Sequence, residues 1–305
     1  MVILESYKKQ PLVSVIVNCF NGEKYLRECL NSILKQTYHN WELIFWNNRS
    51  TDKSKEIFKE FEDKRFRYHL SATHTFLYEA RDLAIKSSSG NFFTFCDVDD
   101  YWSKERLESL MPLFQNESTG IVYSNQWIVN ERNNKKRKYT NKLLPKGDLS
   151  SSIISSPAVT ILNTIVRKSE YLKMESGFNK QYKIIGDFDF FVRIARSCKF
   201  DCVQTPLVYY RLHENNFTKK HRTLEIEEFE NWLEKIKKVK DFFTKKEIDL
   251  IAQKILYKKT TILILNKEVL SSLTNIFKIK NNFNKIKLFL ALLMPRKILE
   301  KIKEY

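Results

Sequence analysis

Short apolar runs alternate with amphipathic segments through the first third of the chain. Runs of strand length occur at residues 12–17, 42–46, 66–70 and 92–96. Between them, apolar residues recur at helical spacing, most clearly from Tyr25 to Leu34. Apolar, β-branched or aromatic runs suit strands that are covered on both faces. The order β-α-β-α-β-α-β therefore predicts a mostly parallel sheet with helices on both sides.

An acidic loop follows the fourth of these strands. Asp97, Asp99 and Asp100 stand directly after it, at the carboxyl end of the strand, where open α/β sheets bind their ligands. Oxygen ligands of this kind suit a hard cation, Mg²⁺ or Mn²⁺, that reaches phosphate groups at the same time. The alternative is that the three acids only cap the next helix. Ser103 is a competent N-cap by itself, which favours the metal and phosphate interpretation.

The middle of the chain predicts further strands and a loop near the site. Residues 121–124 and 127–130 have strand patterns and flank the polar loop 131–138, in which Asn133 and Asn134 suit a hairpin turn. The Ser-rich residues 150–156 are expected to form a loop that orders over the site when a ligand binds.

Beyond about residue 217 the pattern changes to Lys-rich helix. Apolar stripes at helical spacing run through residues 226–239 and 251–265, and residues 283–299 alternate Lys with a strongly apolar face. A basic amphipathic helix of this type can lie in a membrane interface. The equally open alternative is an ordinary docked helix with a solvated Lys face.

Charge and cysteine usage narrow the class of protein. The chain of 305 residues carries a net charge of +17, and residues 251–305 contribute +9 of it, with twelve Lys or Arg against three Glu. Such a tail suggests an anionic partner, either a membrane surface or a nucleic acid. The five scattered cysteines, without a CxxC pair, indicate reduced thiols and a cytosolic location. No secretory signal or membrane-spanning run is evident.

The first turn is neither GxGxxG nor a P-loop, which disfavours a dinucleotide dehydrogenase and a P-loop enzyme. Six other short motifs stand at residues 13–21, 47–52, 80–82, 97–102, 186–189 with Arg193, and 209–213. In their order and spacing these segments resemble family 2 glycosyltransferases, and the resemblance covers about residues 11–220.

The resemblance implies a GT-A type α/β fold and inverting transfer of a sugar from a nucleotide sugar. It divides the chain into a glycosyltransferase domain at 1–216 and a basic helical region at 217–305. Within the first domain, residues 1–102 would bind the nucleotide sugar and residues 103–216 the acceptor.

Donor and metal residues also follow from the resemblance. The donor would be bound by Asn18, Phe20, Asn21, Asn47, Arg81, Asp97 and Trp102. A Mn²⁺ or Mg²⁺ ion would be held by Asp99, with Asp97 and with His213 from the closing strand. The ion is needed because the diphosphate leaving group gains charge as the sugar departs.

The acceptor side requires a base for the attacking hydroxyl. The resemblance places Asp187 in that role, with Asp189 as the second candidate. The apolar residues around Asp187 are expected to raise its pKa, which suits a base. The alternative is that Asp187 only caps its helix.

Two residues depart from the family pattern. Asn47 stands where the family usually has Asp, so the preference for uridine is less firmly implied. Gly186 stands where the family usually has Glu, just before the expected base.

The sequence therefore predicts a metal-dependent inverting glycosyltransferase. It would move a hexose or N-acetylhexosamine, most simply from a UDP-sugar, to a glycan or lipid-linked acceptor of surface polysaccharide, lipooligosaccharide or glycoprotein. We expect a cytoplasmic enzyme on the inner face of the membrane. The alternatives are a nucleic-acid-binding protein that uses the basic helices, and an inactive glycosyltransferase-like scaffold.

Overall fold

The computed structural model describes residues 10–154, 158–239 and 242–295. Its described strands belong to one sheet. They are β1 Val13–Cys19, β2 Trp41–Asn47, β3 Phe66–Leu70, β4 Phe92–Phe95, β5 Tyr101–Trp102, β6 Thr119–Asn130, β7 Lys136–Lys138, β8 Thr164–Arg167 and β9 Lys199–Leu212.

The described helices flank this sheet or follow it in the chain. They are α1 Glu23–Leu34, α2 Ser54–Lys59, α3 Leu77–Lys86, α4 Arg106–Leu110, α5 Lys168–Leu172, α6 Gly186–Ile194, α7 Phe217–Lys220, α8 Arg222–Lys237, α9 Lys245–Leu265, α10 Val269–Lys278 and α11 Asn282–Leu293. Two short 3-10 helices occupy Met111–Gln115 and Ile161–Asn163.

The first four strands are parallel, in the order β3-β2-β1-β4. Their side chains form the centre of the core, with Val15, Ile16, Leu43, Ile44 and Phe93 fully buried. The prediction of a parallel α/β sheet is confirmed. It succeeds because apolar runs with polar turns at their ends are typical of strands covered on both faces.

The other half of the sheet is mixed. Strand β8 is antiparallel to both β4 and β6, β6 is parallel to β9, and β9 is antiparallel to β5. The predicted break between residues 124 and 127 is wrong, because β6 continues through both segments. Asn125 and Gln126 stay in the strand because Asn125 donates to the Thr140 carbonyl at 2.8 Å and Gln126 accepts from the Thr160 hydroxyl at 3.2 Å.

The polar segment after β6 forms a hairpin. Strand β7 pairs with β6, and Asn134 has a φ of +53° at the turn, a conformation that Asn tolerates. The predicted hairpin turn is therefore found, although its far arm was expected to be loop. In the Ser-rich loop, Ile153 and Ile154 are buried, and residues 155–156 lie outside the described residues.

The helix after the acidic loop begins later than expected. Glu105 rather than Ser103 precedes α4, and the Ser103 hydroxyl donates instead to the Glu105 carboxylate at 2.6 Å. The prediction of Ser103 as N-cap is wrong, because β5 takes up Tyr101 and Trp102 before the helix can start.

The chain forms two compact units that divide between His213 and Glu214. The second unit is helical in its described residues. Part of its core is a cluster of Ile264, Ile276, Ile279 and Leu288, which joins α9, α10 and α11. Across the described ranges, every helix is too short or too polar to cross a bilayer.

Candidate functional site

The turns after β1 and β2 are tied together by hydrogen bonds. The Asn21 side-chain oxygen accepts from the Thr51 amide at 2.8 Å, and the Ser50 hydroxyl accepts from the Asn21 amide at 3.0 Å. Asn21 and Arg49 both adopt left-handed backbone, with φ of +53° and +68°. Asn21, which is predicted to bind the sugar donor, thus shapes the turn. Its side-chain oxygen already accepts a hydrogen bond from the Thr51 amide.

The other two predicted asparagines differ from each other. Asn47 is buried, donates to the Tyr68 hydroxyl at 2.9 Å and accepts from the Ser50 amide at 2.8 Å. Both ends of its amide are therefore used inside the protein. Asn18 is the opposite case, because its amide oxygen and nitrogen are buried without a hydrogen-bond partner among the described residues. Buried polar groups without a partner are rare and call for an explanation, and a ligand bound at this edge of the sheet would supply one.

An exposed aromatic pair lies beside these turns. Phe20 is half exposed and its ring lies 4.3 Å from that of His74, measured between centroids. The His74 Nδ1 atom lies 2.9 Å from the Asn48 carbonyl, which fixes the imidazole. Sequence reasoning missed His74, although its position after the third predicted strand places it at the same edge of the sheet.

Asp97 is held by a buried arginine. Nη2 of Arg81 lies 2.9 Å and 3.1 Å from the two carboxylate oxygens of Asp97. Arg81 is only 2% exposed and packs against the rings of Tyr78 and Phe95. Burial raises the pKa of Asp97, while Arg81 acts against that rise. The sequence predicts that Arg81 contacts the donor, but its buried guanidinium binds Asp97, whose side chain is 29% exposed.

Asp99 is paired with His213. Their Oδ2 and Nε2 atoms lie 2.9 Å apart. The pair forms because β5 and β9 are antiparallel with Tyr101 opposite Tyr209, a register that brings the chain after β9 back to the acidic loop. The ring of Tyr25, from α1, lies 5.2 Å from the imidazole. The structure therefore brings together two of the three predicted metal ligands.

Arg211 holds the backbone of the acidic loop. Its amide donates to Asp100 at 2.8 Å, and its Nε donates to the Asp99 carbonyl at 2.9 Å. The second carboxylate oxygen of Asp100 is buried without a hydrogen-bond partner among the described residues. Burial, together with the charges of Asp99 and Asp97, raises the pKa of Asp100 well above its ordinary value. Such crowding of acids is relieved by a cation.

The donor set fits a hard divalent cation that is shared with phosphates. No group of three His, Cys, Asp or Glu side chains converges to hold an ion within the described ranges. Asp99 and His213 supply one carboxylate and one imidazole. Mg²⁺ usually keeps one or two carboxylate ligands and takes its others from phosphate and water, whereas an imidazole ligand is more typical of transition metals, so this pair suits Mn²⁺ better than Mg²⁺. Asp97 lies in the same loop, but its carboxylate is bound by Arg81.

Asp187 lies in the first turn of α6, near the same arginine. Its Oδ1 accepts from the Phe188 amide at 2.8 Å, and the Tyr78 hydroxyl lies 3.4 Å away. Burial raises the pKa of Asp187, and the charge of Arg81 opposes the rise. Asp97 and Asp187 therefore share one buried cation.

Tyr78 explains why Gly186 precedes this carboxylate. A Cβ atom at residue 186 would lie 2.5 Å from the Tyr78 ring, which is too close for any side chain. The Tyr78 hydroxyl also lies 2.5 Å from the Ile184 carbonyl. The tyrosine thus occupies the space that a glutamate at residue 186 would need.

Two other predicted residues are engaged elsewhere. Asp189, the second candidate for the base, forms an ion pair with Arg193 at 2.9 Å, and Arg193 also donates to the carbonyls of Ser176 and Gly177. Trp102 is buried, and the Arg106 guanidinium lies 4.0 Å from the centre of its ring. Both side chains, Asp189 and Trp102, therefore make their contacts with other residues of the protein.

Solved structures match the fold. A crystal structure of residues 1–349 of S. aureus TarS in complex with UDP has a TM-score of 0.61 and 19% identity, covering 81% of this chain and 71% of that one. The full TarS structure has a TM-score of 0.64 over 92% of this chain and 48% of that chain. At this identity the likeness concerns the fold, and it confirms the predicted GT-A type arrangement.

Curated relatives match parts of the chain. Glycosyltransferase GlyA from Streptococcus pneumoniae is 38% identical over 39% of this chain, and the aligned region spans 17% of GlyA. The E. coli UDP-Glc:alpha-D-GlcNAc-diphosphoundecaprenol beta-1,3-glucosyltransferase WfgD is 34% identical over 39% of this chain and 47% of its own length. An uncharacterized glycosyltransferase from Methanocaldococcus jannaschii is 28% identical over 67% of this chain and 71% of its own length.

The family model described as Glycosyl transferase family 2 matches residues 14–188, which is more than half of the chain. The match includes the turns after β1 and β2, the acidic loop and the start of α6. The chain belongs to glycosyl transferase family 2.

Proposed function

We propose that this protein transfers a sugar, with inversion, from a nucleotide sugar to a glycan or lipid-linked acceptor in the synthesis of a cell-surface glycan. The observation that carries the proposal is the pairing of Asp99 with His213 beside the Asp97, Arg81 and Asp187 group. One set of polar groups suits a metal-bound diphosphate, and the other contains a partly buried carboxylate, Asp187, that suits a base.

The donor would lie across the carboxyl ends of β1, β2 and β4. The unpaired amide of Asn18 and the exposed ring of Phe20 are available there for the nucleoside. Asp99 and His213 would hold Mg²⁺ or Mn²⁺ against the diphosphate, and Asp97 would lie toward the ribose. The cation supplies Lewis-acid neutralisation of the charge on the leaving group.

Arg81 and Asn47 have roles that differ from direct contact with the donor. Because Arg81 is buried against Asp97, we propose that it positions this carboxylate and contributes positive charge from the interior. Because both ends of the Asn47 amide are engaged, we propose that Asn47 shapes the loop around the base rather than reading it.

The acceptor would be activated by Asp187. Its carboxylate removes the proton of the acceptor hydroxyl as the oxygen attacks the anomeric carbon. The bond from that carbon to the diphosphate oxygen breaks on the opposite face, and the diphosphate leaves with the bonding electrons. A pKa raised by burial makes Asp187 a stronger base than an exposed aspartate.

Two relatives support a UDP-sugar and a membrane-linked pathway. The name of WfgD gives UDP-glucose as donor and a diphosphoundecaprenol-linked sugar as acceptor, and TarS was solved with UDP. We therefore propose a uridine nucleotide and a cytoplasmic location near such an acceptor. The alternative of a nucleic-acid-binding protein has no support among these relatives.

A nucleotide panel tests the proposal. Thermal unfolding would be measured with UDP-, GDP- and dTDP-sugars, each with and without Mn²⁺, alongside slow hydrolysis of each donor. We expect one nucleotide class to raise the melting temperature only when metal is present. Asp99→Ala should remove this shift, because it deletes the proposed carboxylate ligand.

Glu117→Ala is the matched control, since Glu117 is an exposed acid outside the site. It should retain the full shift. Equal stabilisation of the parent and Asp99→Ala proteins, or stabilisation without metal, would contradict the proposed metal site. Binding without hydrolysis or transfer would favour the inactive scaffold.

A further inference from the structure

An apolar stripe on α11 is exposed. Phe283, Ile286, Leu290 and Leu293 are 53% to 82% exposed. At 100° per residue these four positions fall within an arc of about 80° on the helix surface. The opposite face carries Leu288, which is buried in the cluster that joins α9, α10 and α11. Helix α11 is therefore apolar on the face that packs against α9 and α10 and also on its exposed face.

Helix α10 extends this stripe. Leu270 and Phe277 are 83% and 69% exposed. The Phe277 ring lies 5.9 Å from that of Phe289, which precedes Leu293 by one helical turn, so Phe277 lies against α11. We call the exposed apolar residues of the two helices the α10–α11 apolar surface; they are Leu270, Phe277, Phe283, Ile286, Leu290 and Leu293. Exposed apolar residues grouped on adjoining helices indicate a binding site more strongly than scattered ones do.

Two exposed lysines stand next to residues of the α10–α11 apolar surface. Lys278 follows Phe277 in the chain and Lys287 follows Ile286. Residues 267–305 contain nine Lys or Arg against three Glu. Protein-protein interfaces are usually depleted in lysine relative to the rest of the protein surface. An apolar face with a lysine border is instead typical of helices that lie in an anionic membrane interface.

We propose that the α10–α11 apolar surface docks on a bilayer that contains anionic lipid. The exposed Phe, Ile and Leu side chains enter the boundary between headgroups and acyl chains. The bordering lysines contact the phosphates of the headgroups. This docking does not depend on the transfer reaction, so an inactive enzyme should bind vesicles equally well.

Vesicle flotation of the full chain tests the surface. The probes are phosphatidylcholine vesicles with and without phosphatidylglycerol. We expect flotation with the anionic vesicles and weaker binding to the neutral ones. The fourfold variant Phe283→Ser, Ile286→Ser, Leu290→Ser, Leu293→Ser should lower the partition coefficient about a hundredfold or more, since four apolar side chains no longer enter the membrane.

Matched variants separate this effect from folding and from catalysis. Leu143→Ser with Leu172→Ser removes two comparably exposed leucines from the other unit and should float normally. Lys278→Gln with Lys287→Gln should weaken binding to anionic vesicles by about fivefold per lysine. Asp187→Asn should float like the parent, which keeps this test separate from that of the transferase. Circular dichroism and melting temperature should show that every variant is folded.

Three outcomes would overturn the proposal. The first is a parent protein that does not float with anionic vesicles. The second is a fourfold variant that floats as well as the parent. The third is a parent that is oligomeric and a fourfold variant that is monomeric, with no lipid binding by either, which would assign the surface to a second copy of the chain.

Discussion

At the scale of single residues, the site is organised around one buried cation. Arg81 is nearly inaccessible, and both Asp97 and Asp187 interact with its charge. Burying a guanidinium is costly unless acids or hydrogen bonds compensate its charge, so Arg81 and its acids stabilise each other. Helix α3 supplies both Arg81 and, one turn earlier, Tyr78, which packs on Gly186.

Replacing this cation should destabilise the protein. We expect Arg81→Met to lower the free energy of unfolding by about 2–3 kcal/mol, because it leaves the partly exposed Asp97 carboxylate without its ion-pair partner. Urea unfolding provides the measurement. Arg27→Met is the control, since Arg27 pairs with Glu60 on the surface with both side chains more than half exposed. It should cost less than about 1 kcal/mol. A similar loss of unfolding free energy in both variants would show that the Arg81–Asp97 pair contributes no more to stability than a surface ion pair.

The proposed base predicts a pH dependence. Asp187 must be ionised to accept a proton, so kcat/KM should fall as the pH drops through its pKa. Burial raises that pKa, which places the fall above the value of about 3.9 that is usual for aspartate. In Arg81→Met the ionised form of Asp187 loses a nearby positive charge. The pKa of Asp187 should then rise further, so that the fall in kcat/KM moves to higher pH.

The measurement is the pH profile of kcat/KM for both proteins. A purely structural effect of Arg81→Met would lower the rate at every pH and leave the pH of the fall unchanged. A fall that stays in place or moves to lower pH would contradict the proposed electrostatic effect of Arg81 on Asp187.

At the scale of elements, strand ends were easier to predict than strand partners. Asp97 and Asn47 could be placed at one edge because parallel strands end there, and each follows an unambiguous apolar run. The two-residue strand β5 could not be predicted, since Tyr101 and Trp102 are too few to form a pattern. Its pairing with β9 nevertheless brings His213 to Asp99, a contact that came only from the family resemblance.

The sequence also could not predict which polar residues are buried. Two adjacent polar residues, Asn125 and Gln126, predict a break in a strand. They remain in the strand because their side chains form hydrogen bonds with Thr140 and Thr160. Arg81 is likewise predicted to bind the ligand. The structure instead places its guanidinium against the Asp97 carboxylate and the Phe95 ring. In each case the side chain is held by a contact whose geometry depends on the fold. The sequence alone does not show which residues make that contact.

At the scale of the whole molecule, the first unit contains the complete candidate site. Every strand of the described sheet and His213 belong to it. We therefore propose the predicted domain at residues 1–216 as an independent folding unit that binds the donor. The helical unit then contributes the α10–α11 apolar surface and not the nucleotide site.

Truncation tests this division. A fragment of residues 1–216 should unfold in one cooperative transition and should retain the metal-dependent nucleotide shift, because its core and site are complete. Differential scanning calorimetry with and without UDP and Mn²⁺ gives both measurements. A fragment ending at residue 205 is the control, since it removes the end of β9 with His213 and should lose the shift. Loss of nucleotide binding in the longer fragment as well would contradict an independent unit.

The pairing of β9 with β5 and β6 has a consequence for how this chain can vary in length. From Tyr209 to Leu212 the strand is held in register by β6, so one inserted codon there would turn the imidazole of His213 to the opposite side of the sheet. Further back, Ser124 pairs with Val203 and Asn125 with Pro206, which leaves two residues of β9 already looped out. Homologous chains should therefore gain or lose residues at that bulge and keep the last stretch before the histidine constant.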